Sequence, residues 1–406
     1  MANTILTIDM IAREALRLAH EKATFIGTMN RQFDDSFGRS GEKIGDTIRI
    51  RYPSQYTRRQ GSRVMDVQDS VQVSSQLVVA TQDGVDMRFN SREMALDLDN
   101  FSKLHLEPAM AQLISGIEGD VLAGCTKATY KFAGNNKAGT ALTTISSLTA
   151  AGNARTRLNQ GLAPKGDRNI QVDSGTMADM VTGVAAYFNP SGAISEQYRE
   201  GLVARTAMAD YYENERVFTD INTSAVTFST AKLNGYVSTL GQTSASITTI
   251  TYTVNIGNVF TMGNVFDVHP ETKASYGLLK QFTVTATTNA STISFQPPIY
   301  ISGPRQNVTG TGTTTSTNAI SFLGVALSSA ICPLMYHKDA YTFATAELPL
   351  MGSSEKCVRR TYDGLSLRVW QDSDIRNDEL LTRIDILYGY AVIRPEWACR
   401  LYGAFQ

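Results

Sequence analysis

The chain has 406 residues, enough for two or three structural units with substantial cores. It carries 37 lysines and arginines against 38 aspartates and glutamates. The formal net charge of −1 at pH 7 excludes the basic surplus of a tight nucleic-acid binder and the acidic surplus of a nucleic-acid mimic.

The cysteines predict buried thiols rather than a site. Cys125, Cys332, Cys357 and Cys399 lie far apart and form no CxxC pair, a pattern that favours neither a zinc site nor a disulfide framework. It is typical of a reducing compartment. The N-terminus lacks the layout of a signal peptide, and no apolar run is long enough to predict a transmembrane helix.

Residues 1–35 predict a helical N-terminal arm. Apolar residues recur at helical spacing between Ile8 and Ala19, and the opposite side is densely charged. Arg17 and Glu21 have the spacing of an i,i+4 ion pair. The charged side is either an ordinary solvated surface or a docking surface for a partner of alternating charge. Its candidate contact residues are Arg13, Glu14, Arg17 and Glu21.

Residues 36–82 predict a long loop between two strands. The stretch Thr47–Tyr52 alternates polar and apolar residues, and a valine-rich stretch returns before residue 80. An ordered loop of this length usually has a function or a neighbour that holds it. Its arginine cluster favours protein contacts over a phosphate site, because no glycine-rich cradle or aromatic stacking pattern accompanies it. The candidate contact residues are Arg58, Arg59 and Arg63 near the tip, and Asp66 and Asp69 on the return path.

Residues 83–130 lead into one long helix, predicted from Glu107 to Tyr130. Apolar residues recur at helical spacing from Met110 to Leu122, and polar residues, Glu118 among them, fill the opposite side. Three glycines interrupt this pattern, each costing about 1 kcal/mol relative to alanine. They indicate either a buried element that tolerates poor helix formers or a helix that must bend or be approached closely. These residues are Gly116, Gly119 and Gly124.

Residues 131–220 predict a mixed α/β block. Its elements are a helix over Leu148–Gln160, a strand over Arg168–Val172, a helix over Met177–Phe188 capped by Thr176, and a helix over Glu196–Arg205.

The composition changes sharply at residues 221–336. This segment holds 22 threonines and only six charged side chains. Recurring strand-like stretches separated by turns predict an all-β inserted module, a small barrel, with a low-complexity loop at Thr309–Thr317. The predicted strands are Thr248–Asn255, Gln281–Ala286, Thr292–Phe295 and Ile320–Leu327.

Residues 337–406 predict two long strands that form a hairpin or β-arch. The first, Leu365–Trp370, reads as half-buried, and Asp372–Glu379 reads as a polar connection. The second, Leu380–Val392, places Ile384 and its apolar neighbours on one face, and Arg383 and Asp385 on the other.

No sequence motif indicates catalysis. GxSxG, HExxH, P-loop and Rossmann patterns are absent, and the four histidines lie in four different predicted elements. Asp97 with Asp99, and the acidic turn from Asp372 to Glu379, are either divalent-ion ligands or ordinary solvated turns. We therefore predict no enzyme, no catalytic residues, no cofactor and no metal site.

The order of these segments resembles that of a tailed-bacteriophage major capsid protein with the Hong Kong 97 fold, of the coat-protein type of short-tailed Salmonella phages. The resemblance covers residues 1–130 and 340–406, whereas the insert matches in position and composition more than in motif. The stretches that carry it are Ala2–Thr7, Gly45–Pro53, Phe101–Met110, Asp374–Gly389 and Arg394–Gly403.

The resemblance implies an α+β capsid fold with an all-β barrel-like insertion domain. It implies an N-terminal arm at 1–35, an extended loop at 36–82, a peripheral domain with a spine helix at 83–130, and the first part of an axial domain at 131–220. The inserted domain would occupy 221–336. The remainder of the axial domain, the β-arch and the C-terminus would occupy 337–406.

The resemblance also implies partners. Hexamers and pentamers of this chain would form an icosahedral shell around double-stranded DNA, bound without specificity. A separate scaffolding protein would guide assembly in the host cytoplasm, a portal would replace one pentamer, and no membrane would take part. The helix residues Arg13, Glu14, Arg17 and Glu21 would meet a partner or the scaffold, and the loop residues Arg58, Arg59, Arg63, Asp66 and Asp69 would meet neighbouring subunits.

One departure from the wider fold family concerns crosslinking. Some relatives crosslink covalently through a lysine in the extended loop, whereas residues 51–75 contain no lysine here. A noncovalent shell is therefore expected.

Three other functions remain open from sequence. A phage tail-tube or decoration protein is also β-rich, but it would lack the long helix and have a helix content near ~10% for a β-rich protein. A secreted adhesin or surface-layer protein would suit the threonine-rich insert, although no export signal precedes it. An enzyme is the third alternative.

Overall fold

The computed structural model describes most of the chain. Among the described residues, no helix is long and apolar enough to cross a membrane. The described residues are 8–31, 47–59, 61, 65, 67–70, 72–90, 102–133, 144–145, 148–185, 209–221, 239–247, 254–286, 292–310, 320–323, 329–351, 357–362, 364–374, 376–377 and 379–404.

The fold is α+β, with 26% of the described residues in helices and 45% in strands. The helices are α1 (Ile8–Lys22), α2 (Phe25–Thr28), α3 (Glu107–Ala128), α4 (Leu148–Gln160) and α5 (Ser174–Ala185), with a π-helical turn at Ser102–Leu106 and 3-10 turns at Lys338–Ala340 and Pro395–Trp397. The first strands are β1 (Thr47–Arg51), β2 (Ser74–Val78), β3 (Thr81–Asn90), β4 (Phe132–Ala133), β5 (Arg168–Val172), β6 (Asp210–Glu213) and β7 (Thr219–Ile221). The middle strands are β8 (Gln242–Ser246), β9 (Val259–Val268), β10 (Ser275–Ala286), β11 (Thr292–Ile299), β12 (Val308–Thr309), β13 (Ile320–Phe322) and β14 (Ser329–Ile331). The last strands are β15 (Leu334–His337), β16 (Tyr341–Ala346), β17 (Cys357–Tyr362), β18 (Leu365–Asp374), β19 (Glu379–Val392), β20 (Ala398–Leu401) and β21 (Gly403–Ala404).

The chain divides into two compact units, each built from separated segments. The first comprises residues 1–50, 74–121 and 341–393, and the second comprises 51–73, 122–340 and 394–406. The boundary at 121/122 falls inside α3, so this helix contributes residues to both. The six-part division derived from sequence stays a prediction.

The first unit is centred on an antiparallel sheet. Its strands run in the order β16, β19, β18, β17, and β3 pairs with the other edge of β19. The predicted hairpin is confirmed as the antiparallel pair of β18 and β19. Helix α1 packs against β17 and β18 with its apolar face buried, so it is docked on this sheet.

Two expectations about this hairpin are wrong. Leu365 to Val369 are all buried, Ser366 and Arg368 included, so this part of β18 is not half-buried. Asp385 is only 1% exposed, although it lies on the side of β19 that was expected to be polar. The strands on either side of β19 cover this position, and strand periodicity alone cannot reveal such neighbours.

The predicted long helix is confirmed as α3, and its apolar stripe from Met110 to Leu122 is buried. Its 22 residues correspond to about 33 Å at 1.5 Å per residue. The expectation for Glu118 is wrong, since this residue is 0% exposed. Its carboxylate accepts hydrogen bonds from the backbone N–H of Phe25 and from the Thr24 hydroxyl, at 2.9 Å for the latter.

The second unit holds a five-stranded sheet in the order β4, β20, β15, β5, β6. The predicted helix at Leu148–Gln160 and the predicted strand at Arg168–Val172 are confirmed. The predicted cap of the next helix is wrong. Helix α5 begins at Ser174, and the Asp173 carboxylate accepts the Thr176 N–H at 2.9 Å, because Asp173 lies one residue before the first turn. The predicted helix over Glu196–Arg205 lies outside the described residues.

The charge-poor segment forms a six-stranded antiparallel sheet. Its strand order is β12, β9, β10, β11, β8, with β13 also paired to β9. Phenylalanines 260, 282, 295 and 322 form its core. Strands β10, β11 and β13 overlap predicted strands, whereas β8 and β9 were missed. Most of the predicted strand Thr248–Asn255 and of the Thr309–Thr317 loop lies outside the described residues. At the root of this segment, β7 pairs with β14, and β14 pairs with β21.

Candidate functional site

The first candidate surface is the loop between β1 and β2, residues 52–73. Arg58, Arg59 and Asp69 are exposed on it, as a contact role requires. Arg63 and Asp66 lie outside the described residues. Three of the five candidate contact residues thus lie in the described part of the loop and are exposed, and their contact with a neighbouring subunit stays a prediction.

Hydrogen bonds join the two sides of this loop. The Tyr52 N–H donates to the Val73 carbonyl at 2.8 Å. Further along, the Gln68 side-chain amide accepts the Thr57 N–H and donates to the Thr57 carbonyl, both at 2.8 Å. Between these two contacts, the hydroxyls of Ser54 and Ser70 are hydrogen-bonded to each other at 3.0 Å. The loop is thus a ribbon with two linked sides.

The same loop exposes large apolar side chains. Met65 is 82% exposed, Val67 78% and Tyr56 61%. Exposed apolar groups gain free energy only when another surface covers them. The sequence analysis missed these residues, although Met65 and Val67 in an otherwise mostly polar loop were a visible signal.

The second candidate surface is the outer side of α1. Arg13 and Arg17 are exposed, and each is paired within the helix: Arg13 with Asp9 at 2.9 Å, and Arg17 with Glu14 at 2.8 Å. Asp9 also pairs with Arg360 of β17. The side chain of Glu21 lies outside the described residues. The charged side of α1 is thus a set of local ion pairs, each of modest strength in water.

The glycines of α3 are not sites of close backbone approach at the two positions that can be tested. A Cβ atom added at Gly116 or at Gly119 would meet no atom within 4 Å. Gly124 is half-buried. Of the two readings, close approach is therefore wrong at Gly116 and Gly119, and a role in bending stays a prediction.

A buried arginine lies where α3 ends, within the second unit. Arg400 of β20 is 0% exposed and donates to the carbonyls of Lys127, Thr129 and Gly257 at 3.1, 2.6 and 2.8 Å, and to the Thr283 hydroxyl at 3.0 Å. Thr283 also donates to the Lys127 carbonyl at 2.9 Å. The last carbonyls of a helix lack intrahelical donors, and here Arg400 and the six-stranded sheet supply them.

A buried lysine, Lys131, lies three residues after the end of α3. Lys131 donates to the carbonyls of Arg157 and Glu396, both at 2.9 Å. Burial, and after it the charge of nearby Lys280, lower the pKa of Lys131 to about 8, against the opposing effect of Asp267 and Glu396. Sequence reasoning missed both Arg400 and Lys131, because a single cation on a short strand gives no signal of its burial.

A carboxylate at the root of the six-stranded sheet is also buried. Asp220 of β7 accepts hydrogen bonds from the Tyr402 hydroxyl and from the Asn258 amide, the latter at 3.2 and 3.3 Å. Burial and the Cys332 and Asp220 charges raise the pKa of Tyr402. This contact ties β7 to the C-terminal segment and to the start of β9.

The acidic and histidine residues considered for catalysis have local structural partners. Asp374 accepts the Arg376 N–H at 2.9 Å and the Asn377 amide at 2.8 Å, as in an ordinary Asx-turn. The ring of His337 stacks edge-on against Trp397. Among the described residues, no group of three His, Cys, Asp or Glu side chains is placed to hold a metal ion. Asp97 and Asp99 lie outside the described residues.

All four cysteines are buried and free. Burial raises the pKa of Cys399 to about 12 and raises that of Cys125 and Cys332 further. At neutral pH these thiols are therefore protonated and poorly nucleophilic.

One cavity of about 290 Å³ lies at the start of α5. Asp173, Asp179 and Glu215 contribute to its wall. Three carboxylates around one cavity disfavour an anionic ligand there.

Comparison with known proteins gives one family. Residues 222–403 match the P22 coat protein family, described as "gene protein 5". A search of curated proteins finds no match. The match covers the six-stranded sheet, the hairpin of β18 and β19, and Arg400.

Solved structures with a similar course of the chain include three from phages. That of Mycobacterium phage Che8 is 9% identical and covers 93% of this chain and 90% of its own, with a TM-score of 0.47. The capsid of cyanophage P-SCSP1u is 12% identical, with coverages of 89% and 85% and a TM-score of 0.47. The capsid of Ralstonia phage GP4 is 8% identical, with coverages of 89% and 84% and a TM-score of 0.43.

The family match at residues 222–403 agrees with the resemblance found in the sequence. The mixture of helices and strands confirms the α+β class. A helix content of 26% among the described residues, with one helix of 22 residues, contradicts the tail-tube expectation of few helices.

Proposed function

We propose that this chain is a tailed-phage major capsid protein, because residues 222–403 match the P22 coat protein family, and that it assembles as hexamers and pentamers into a closed icosahedral shell. The shell encloses double-stranded DNA. A separate scaffolding protein guides assembly in the bacterial cytoplasm, and a portal ring occupies one vertex. The role is structural, without catalysis or cofactor.

The observation that carries this proposal is the exposed surface of the loop at 52–73. It exposes Tyr56, Met65 and Val67 together with charges of both signs. A surface that carries both arginines and an aspartate is complementary to another copy of itself, and such charges set register and partner choice more than affinity. A near-zero net charge limits repulsion among many copies.

The balanced charge also bears on the cargo. Strong DNA binding requires many lysines or arginines to neutralise phosphates, and this chain has no surplus of them. We therefore propose that the shell confines DNA without gripping it. A noncovalent shell follows from the absence of lysine between residues 51 and 75, and its subunits run as a 44.3 kDa band on a denaturing gel.

The test is negative-stain microscopy of the expressed protein, with and without a co-expressed scaffold. Closed shells tens of nanometres across, or aberrant spirals in the absence of scaffold, support the proposal. Stable monomers or open tubes under every condition contradict it.

A charge reversal makes the test specific to the loop. We expect Arg58→Asp to reduce the yield of shells about tenfold, because like charges placed across an interface cost more than a kilocalorie per contact. The matched control is Lys165→Asp, the same charge change at an exposed position between α4 and β5. Equal yields from both variants would remove the loop from the proposed interface.

A second proposal concerns the spine helix. The glycines of α3 accept a change of bend when a precursor shell expands. Precursor and mature shells with the same α3 curvature would contradict it.

A further inference from the structure

We propose that Gln68 is a positioning residue that holds the loop at 52–73 in its assembly geometry before any neighbour binds. This inference rests on the proposed function. The partner that the loop meets is a second copy of this chain.

Three sets of contacts join the two sides of the loop. The Tyr52 N–H donates to the Val73 carbonyl just beyond β1, and Thr57 is joined to Gln68 further along. Between them, the Ser70 hydroxyl meets the hydroxyls of Ser54 and Tyr56 at 3.0 and 3.3 Å. The two sides are thus held together from Tyr52 to Thr57, five residues apart, which is about 16 Å of extended chain.

The pair at Thr57 differs from an ordinary rung of a sheet. In an antiparallel pair two backbones exchange N–H and carbonyl groups. Here the side-chain amide of Gln68 supplies both partners, accepting the Thr57 N–H and donating to the Thr57 carbonyl, each at 2.8 Å. A primary amide is the side chain that offers a donor and an acceptor side by side.

This contact lies directly beside the exposed candidate contact residues of the loop. Gln68 holds Thr57, and the next residues are the exposed Arg58 and Arg59. On the other limb, the exposed Val67 precedes Gln68 directly. These two hydrogen bonds between Gln68 and Thr57, called the clamp below, therefore fix the position of the chain where the candidate contact residues begin. Two-stranded ribbons without a covering layer are only marginally stable in water, so one bidentate contact has a large effect on the population of the ordered loop.

Preorganisation lowers the entropy that binding must overcome. A loop that is ordered in the free subunit loses less freedom when it docks. The clamp thus affects assembly without touching the neighbour.

The experiment compares wild type with Gln68→Leu. We expect the Thr57 amide to exchange hydrogen about tenfold faster in the free subunit, and the concentration needed for shell formation to rise about tenfold, because two hydrogen bonds are lost. Gln68→Glu keeps the acceptor for the Thr57 N–H but loses the donor to the Thr57 carbonyl. Its exchange rate and assembly concentration should therefore lie between those of wild type and Gln68→Leu.

The matched control is Gln72→Leu, the same change at an exposed glutamine on the same limb. It should leave both readouts unchanged. The unfolding midpoint of Gln68→Leu should equal that of wild type, because the described residues of the loop contribute no buried apolar side chain.

Unchanged amide exchange at Thr57 in Gln68→Leu overturns the inference. Slower assembly with unchanged exchange also overturns it, since Gln68 would then act as a contact residue. If wild type itself forms no shell, the proposed function fails, while the exchange measurement still decides whether Gln68 clamps the loop.

Discussion

Arg368 in the first unit contacts a carboxylate besides the Pro349 carbonyl, whereas Arg400 in the second unit contacts only carbonyl and hydroxyl oxygens among the described residues. Arg368 of β18 pairs with Asp385 of β19, and Arg383 reaches the same carboxylate at 2.8 Å. Arg400 has no carboxylate within ion-pair distance among the described residues. A second arginine of this unit, Arg168, is also 0% exposed and donates to the Ala163 and Pro164 carbonyls, both at 2.7 Å.

The difference follows from where backbone acceptors are free. Arg368, Arg400 and Arg168 all lie on inner strands, so their partners depend on what packs beside those strands. At the end of a helix, several carbonyls have no intrahelical donor and carry a partial negative charge. Arg400 lies at the end of α3 and Lys131 at the end of α4, whereas Arg168 bonds carbonyls of the turn that follows α4.

The comparison predicts its largest effect at Arg400. We expect Arg400→Met to lower the free energy of unfolding by about 4 kcal/mol, because it leaves several buried acceptors unsatisfied at about 1–3 kcal/mol each. Urea titration measures this. Arg376→Met, at an exposed turn, is the control and should change stability by less than about 0.5 kcal/mol.

If Arg400→Met does not fold, Arg400→Lys supplies the measurement, with an intermediate loss expected because one ammonium cannot reach all four acceptors. A wild-type unfolding midpoint in either variant would contradict a capping role.

Asp385 should give the next largest effect. We expect Asp385→Asn to cost about 3 kcal/mol, since it leaves Arg368 with an uncompensated buried charge. The double variant Arg368→Met with Asp385→Leu should recover most of this loss, because it removes both charges together. A double-mutant cycle measures the coupling, and additive effects would show that the pair does not act as one unit.

Replacing Lys131 should give the smallest effect on the free energy of unfolding, and the size of this effect should depend on pH. Its pKa is lowered from 10.5 to about 8 in the folded state, so the unfolded chain holds this proton more tightly. Between pH 8 and 10.5 the unfolded state binds more protons, and the contribution of Lys131 to stability therefore rises with pH.

The measurement is the free energy of unfolding of wild type and of Lys131→Met at several pH values. Wild type should gain on the order of 2 kcal/mol relative to the variant between pH 7 and pH 10. Buried tyrosines and cysteines act in the opposite direction but are shared by both proteins, so they cancel in the difference. A constant difference would mean that Lys131 is not desolvated.

The sequence predicted those elements whose apolar residues repeat with a clear period. The apolar stripe of α3, the helix at Leu148–Gln160 and the pair of β18 and β19 all depend on local spacing. In the loop, the sequence found the exposed Arg58, Arg59 and Asp69 but missed the apolar Met65 and Val67. It missed β8 because the stretch Gln242–Ser246 contains mainly small polar residues, which resemble a turn.

By itself the sequence determined the α+β class, the long helix and the resemblance to a capsid-protein family, because periodicity, charge content and the order of segments are properties of the chain alone. Only the tertiary structure decided which polar residues are buried. Glu118, Asp385, Arg400 and Lys131 lie at positions where local pattern predicts solvent or predicts nothing. Their burial depends on a second layer that is distant in sequence, and their stability depends on which donors or acceptors that layer brings within 3 Å or so.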